Sequence, residues 1–110
     1  MRLARSRKLL FLLPALAMPA LALAAAATVD VIQSGRAFSI DRITVARGTI
    51  VRFLNRDEFI HHISVDTDRF KFDSGEQPPG EAVQVPFTVS GTFPVTCAIH
   101  PKMHLIVEVK

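Results

Sequence analysis

From Val29 onward, apolar residues of this chain fall two apart in short runs divided by turn residues. Val29 and Val31 stand before Ser34-Gly35, and Phe38 and Ile40 stand after it. Ile43 and Val45 lead to a turn at Arg47-Gly48, residues 50–54 follow, and Ile63 and Val65 mark another run. Val83, Val85, Phe87 and Val89 alternate with Gln84 and Thr88 as far as Ser90-Gly91; Phe93, Val95 and Cys97 keep the period, and Leu105, Val107 and Val109 close the chain. A period of two sends alternate side chains to opposite faces of a strand. Short strands spaced by turn signals predict an all-β sandwich or barrel. Pro86 removes a ladder donor from its run, which predicts an edge strand or a bulge there. Residues 66–81 show no alternation and contain Gly75, Pro78, Pro79 and Gly80, so they predict one long loop, its mixed charges from Asp66 to Asp73 forming a solvated face. No helical period is present.

The first residues follow another pattern. Arg2, Arg5, Arg7 and Lys8 form a basic head, residues 9–23 are an apolar run broken only by Pro14 and Pro19, and Ala22-Leu23-Ala24 offers small residues where a signal peptidase reads them. Spanning a bilayer takes about 20 apolar residues, more than this run supplies. The pattern predicts a cleaved secretory signal over residues 1–26, one domain over residues 27–110, a periplasmic location and no stable membrane association after cleavage. Four of the 13 basic residues leave with the signal while all 10 acidic ones stay, so the remainder holds nine basic against ten acidic groups. The high isoelectric point therefore belongs to the signal, and the domain lacks the basic footprint that nucleic acid requires.

A domain of about 85 residues gathers one core and commonly needs a staple. Cys97 is the only cysteine, so no disulfide forms within the chain. A lone thiol in an oxidising compartment is a liability unless it is buried or bound, and a metal would serve as both staple and shield.

The segment Cys97-Ala98-Ile99-His100-Pro101-Lys102-Met103 places a thiolate, an imidazole and a thioether within seven residues at the end of a strand. That set suits copper: the sulfurs favour Cu(I), the imidazole tolerates both redox states, and a weak axial Met tunes the potential. A second imidazole must come from upstream, from His61 or His62. Ile63 and Val65 put the odd-numbered positions on the core side, which selects His61 and turns His62 to solvent; a one-residue bulge would reverse the choice.

Taken together, Asn55-Arg56-Asp57-Glu58-Phe59-Ile60-His61 resembles the Asn-x5-His element of the cupredoxins, the small blue copper proteins, and Gly91-Thr92-Phe93-Pro94-Val95-Thr96-Cys97 resembles the Gly-Thr-aromatic strand that leads to their ligand cysteine. The chain is most similar in its short Cys-x2-His-x2-Met loop to amicyanin and pseudoazurin, rather than to plastocyanin with its longer loop. The resemblance implies a cupredoxin-like Greek-key β-sandwich of about seven to eight strands. It implies one type 1 copper ion, Cu(I)/Cu(II), with His61, Cys97 and His100 equatorial and Met103 axial. It also gives Asn55 the task of tying the ligand loops together near the cysteine. The expected function is single-electron carriage between redox proteins that dock near His100, by a monomer that is not an enzyme. Two departures stand out: His62 beside the first ligand, and Val95 where relatives often carry an aromatic residue.

Other readings assign the same residues differently. A periplasmic copper carrier would use His62 and His104 to assist exchange, whereas both histidines otherwise read as solvent-facing. A Cys-His hydrolase would need an orienting group and an oxyanion hole, and would leave Met103 without a task.

Overall fold

The structure, a computed structural model, describes residues 2–5, 8, 10–17 and 26–110. Among these residues it contains no helix and nine strands: β1 (Thr28–Ser34), β2 (Ala37–Phe38), β3 (Arg42–Val45), β4 (Thr49–Asn55), β5 (Ile63–Asp66), β6 (Lys71–Asp73), β7 (Ala82–Phe87), β8 (Gly91–Cys97) and β9 (His104–Val109). They form two mixed sheets, one ordered β2-β1-β4-β7 and the other β3-β9-β8-β5-β6. Strands β1 and β4 run parallel, as do β3 and β9; the other pairings are antiparallel.

The inward faces carry out the period-two pattern. Val51 and Phe53 of β4, Phe93 and Val95 of β8, and Leu105 and Val107 of β9 are buried in a single core shared by both sheets. The chain has no Tyr or Trp, and the aromatic rings of that core are Phe rings, which need no hydrogen bond. Phe70, Phe87 and Phe93 cluster with centroids 5.3–6.3 Å apart, and Phe38 meets Phe53 edge-on at 5.6 Å. Both strand prolines sit where a missing donor costs nothing. Pro86 lies in the edge strand β7, as its sequence predicts. Pro94 pairs with Ile106 on one side, while on the other side β5 pairs with β8 only at Cys97 and Thr96.

The sandwich departs from its sequence-based expectation in two places. The alternation marks eight strands and misses one: β6 lies inside residues 66–81, so that segment is not one long loop. Phe72 pairs with Val65 there, and a three-residue strand is too short to show a period. Ile40 lies past the end of β2 and is exposed. In the stretch expected to be a leader, Leu10, Phe11, Leu12, Leu13 and Leu16 are exposed and in no regular structure, and the expected cleavage stretch at residues 22–24 lies outside the described residues. Among those residues, no helix is long and apolar enough to cross a membrane.

Register places one end of the sandwich for chemistry. Gln33 stands beside Asn55, Ile63 opposite Cys97, and Thr96 opposite His104. The end of β1, the end of β4, the start of β5 and the β8–β9 connection therefore converge on one rim.

Candidate metal centre

The loop from Asn55 to His61 is built on one buried amide. Asn55, 1% exposed, accepts from the Asp57 amide at 2.9 Å and donates through Nδ2 to the carbonyls of Phe59 at 2.9 Å and Gln77 at 3.0 Å. These bonds brace the His61 loop against the Gln77 segment; none of them reaches the cysteine loop, where the resemblance put them. Past this brace, His61 exchanges both backbone hydrogen bonds with Gln77, its amide donating at 3.0 Å and its carbonyl accepting at 2.8 Å. The alternation holds through this bridge without a bulge. His61, Ile63 and Val65 are all buried, and the His61 ring is wholly enclosed.

Cys97, the last residue of β8, points its thiol into the same space. Its Sγ accepts from the His62 amide at 3.3 Å, and the Ala98 amide donates to the His62 carbonyl at 2.9 Å. Sγ stands 3.6 Å from His61 Nδ1 and 3.8 Å from His100 Nδ1. The Met103 amide donates to the His100 carbonyl at 2.9 Å, folding the connection back so that Met103 is buried while His100 is half-buried. The Cys97, His61 and His100 donor atoms all lie within 4.8 Å of one another. An ion bound by one sulfur at about 2.3 Å and one nitrogen at about 2.0–2.1 Å, with an angle between trigonal and tetrahedral, would hold those atoms about 3.5–3.8 Å apart. The donor set is thus spaced for one shared first-row metal ion, and with the buried thioether of Met103 it has the composition of a type 1 copper site.

Rings and a carboxylate surround the donors. Phe59 packs edge-on against His61 at 5.2 Å and His100 at 5.3 Å, and the two imidazoles are themselves 5.3 Å apart. The Arg36 guanidinium caps the Phe59 ring at 4.8 Å. Asp57 Oδ2 lies 2.7 Å from His61 Nε2, and the carboxylate also accepts from the amides of Gly35 at 2.7 Å and Arg36 at 3.2 Å. Burial pushes the Asp57 carboxyl up, but the bonds from the His61 ring and the two amides outweigh it and hold the group below the ordinary aspartate range.

The two other histidines stand apart from this cluster. His62 turns away, partly exposed, with Nε2 2.6 Å from Asp73 Oδ1. His104 is exposed at the start of β9. Three residues that the sequence does not flag complete the rim. Gln77 is fully buried and donates through Nε2 to the carbonyls of Phe53 and Glu81, both at 3.0 Å, while its Oε1 accepts from Gln33 Nε2 at 2.9 Å. Gln33 continues the inward phase of Val29 and Val31, a signal that could have placed it inside. Asp57, four residues before His61, gives no such signal, because its partners come from the β1–β2 turn.

No family model and no curated protein sequence matches the chain. Solved structures do. The chain is similar to the copper-containing nitrite reductase of Thermus scotoductus SA-01 at 28% identity and TM-score 0.68, over 76% of this chain but only 22% of that one, so it spans about a fifth of that protein's length. It is similar to a reduced amicyanin variant at 21% identity and TM-score 0.70, over 78% of this chain and 85% of that one. The purple cupredoxin of Nitrosopumilus maritimus matches at 22% identity and TM-score 0.64, over 74% and 98% of the two chains. The fold is the cupredoxin β-sandwich.

Proposed function

We propose that His61, Cys97, His100 and Met103 hold one copper ion and that this cupredoxin-fold chain carries single electrons between redox proteins in the periplasm. The observation that carries the reading is the spacing of three donor atoms within 4.8 Å around a thiol that is 1% exposed. Two similar structures, a copper-containing nitrite reductase and a purple cupredoxin, support the choice of metal. Bound there, copper supplies one-electron chemistry by alternating between Cu(II) and Cu(I).

The chain's own contribution is to hold its donors still. His61 is fixed by Gln77 and Asp57, Cys97 by the His62 amide, and His100 by Phe59 and the Met103 amide. A site held this way rearranges little between two charge states. His61, Cys97 and Met103 are shut away from water, so the half-buried His100 is the ligand through which electrons reach a partner. It lines a shallow recess of about 310 Å³ with Arg36, Ile99, Pro101 and Lys102. Neither cation pairs with a carboxylate among the described residues, so the recess suits a partner with an apolar centre and an acidic rim. Redox encounters of this kind use small, weak interfaces. The leader over residues 1–26 supports export, and the domain works as a monomer.

The carrier reading loses support at His62, whose ring is already engaged by Asp73 and points away from the donors. The deciding experiment is titration of the purified chain with Cu(II), followed by visible absorption and electron spin resonance. An intense thiolate-to-copper band at one copper per chain, with narrow hyperfine splitting, is expected. A pale product with ordinary splitting would place copper on surface histidines and end the electron-carrier reading.

A further inference from the structure

His61 faces the donor cluster with one nitrogen and a carboxylate with the other. A carboxylate that receives a hydrogen bond from an imidazole can only accept. The 2.7 Å contact between Asp57 Oδ2 and His61 Nε2 therefore puts the ring proton on Nε2. In the neutral ring the lone pair is then left on Nδ1, the atom 3.6 Å from Cys97 Sγ. Asp57 is itself held in place. Gly35 and Arg36 both have positive φ, 62° and 56°, in the tight β1–β2 hairpin turn. Successive amides in such a turn converge on an anion, and here both donate to Asp57. Arg36 is the only non-glycine residue with positive φ among the described residues, and such strain persists where its surroundings demand it. Its guanidinium also braces Phe59, which packs on the His61 ring.

We infer that Asp57, cradled by the Gly35–Arg36 turn, is a positioning residue: it fixes the tautomer and plane of His61 before any metal arrives and sets a negative charge behind that ligand. The side chain is only 9% exposed, so water screens this charge poorly. A carboxylate behind a ligating imidazole raises the basicity of the ligand. A more basic ligand beside a fixed anion favours the more highly charged ion, so Asp57 holds the reduction potential down. The tautomer half of the inference stands without copper; the charge half rests on the copper reading above.

The test compares the full chain with Asp57→Asn and Asp57→Leu, each checked by thermal unfolding. In metal-free protein, long-range ¹H–¹⁵N correlation spectra of the imidazoles should show His61 as a single Nε2–H tautomer. Asn, which can still accept from the ring, should retain that tautomer, and Leu should give a mixture. A wild-type ring protonated at Nδ1, or an unchanged tautomer in the Leu variant, overturns the positioning role. In copper-loaded protein, the Asn variant should bind Cu(II) more weakly relative to Cu(I) by about 10–100-fold, with its thiolate absorption retained. A ratio unchanged within about twofold overturns the charge role. Should Leu fail to fold, the wild-type tautomer and the Asn ratio still decide. If no variant, nor the wild type, shows a thiolate–copper band, the copper reading and the charge role fail together, and the metal-free spectra still decide the positioning role.

Discussion

At the scale of single residues, neighbours in sequence have opposite tasks because a strand alternates. His61 is enclosed beside Cys97, and His62 is tied to Asp73 on the outer side. His61→Ala should abolish the thiolate–copper band, whereas His62→Ala should keep it at full intensity, both read by visible absorption at one equivalent of Cu(II). Loss of the band in the His62 variant alone would reverse the assignment. The choice between the two rings was legible because Ile63 and Val65 report the phase of the strand. The distant partners of Asp57 and Asn55 were not, because hydrogen bonds to the β1–β2 turn and to Gln77 join residues 20 or more apart in sequence, and no local pattern encodes such a meeting.

At the scale of elements, the strands carry the core and a non-strand segment carries the rim. Alternation reveals β4, β7, β8 and β9 because each has a buried face long enough to count. Residues 74–81 have none, yet Gln77 there serves Gln33, Phe53, Glu81, Asn55 and His61 at once. Its environment, assembled from β1, β4 and the His61 loop, is what makes a glutamine belong inside, and a sequence of Gly, Glu and Pro around it conceals that. Gln77→Ala strips the partner from Gln33 Nε2 and from two carbonyls. It should cost about 3 kcal/mol in urea unfolding, since buried groups left unpaired are expensive. A loss under about 1 kcal/mol would mean that water replaces the amide.

At the scale of the whole molecule, metal and protons both act on the folding equilibrium. Copper at about 1,000 times its dissociation constant should add about 4 kcal/mol to stability if it binds only the folded chain; calorimetry of metal-free and loaded protein checks this, and identical unfolding temperatures would argue against a ligand set built by the fold. Asp57, together with the exposed Asp30 and Asp73, is held below the ordinary aspartate value. Folded pKa values lowered in this way add stability above the unfolded value near 3.9, and that stability drains away as pH falls through the folded values. Metal-free protein should therefore unfold at lower urea concentration as pH drops from about 5 towards 2; an unchanged midpoint would contradict the sign. The all-β class was legible because short apolar runs of period two recur on both sides of residues 66–81, and the resemblance carried by residues 55–61 and 91–97 chose a sandwich over a barrel. Strand β9, the last of the nine, lies inside its sheet between β3 and β8. Without it β3 has no neighbour and β8 has an open edge. A protease that clips residues 104–110 should therefore abolish the fold rather than trim it, leaving a polypeptide open to digestion throughout.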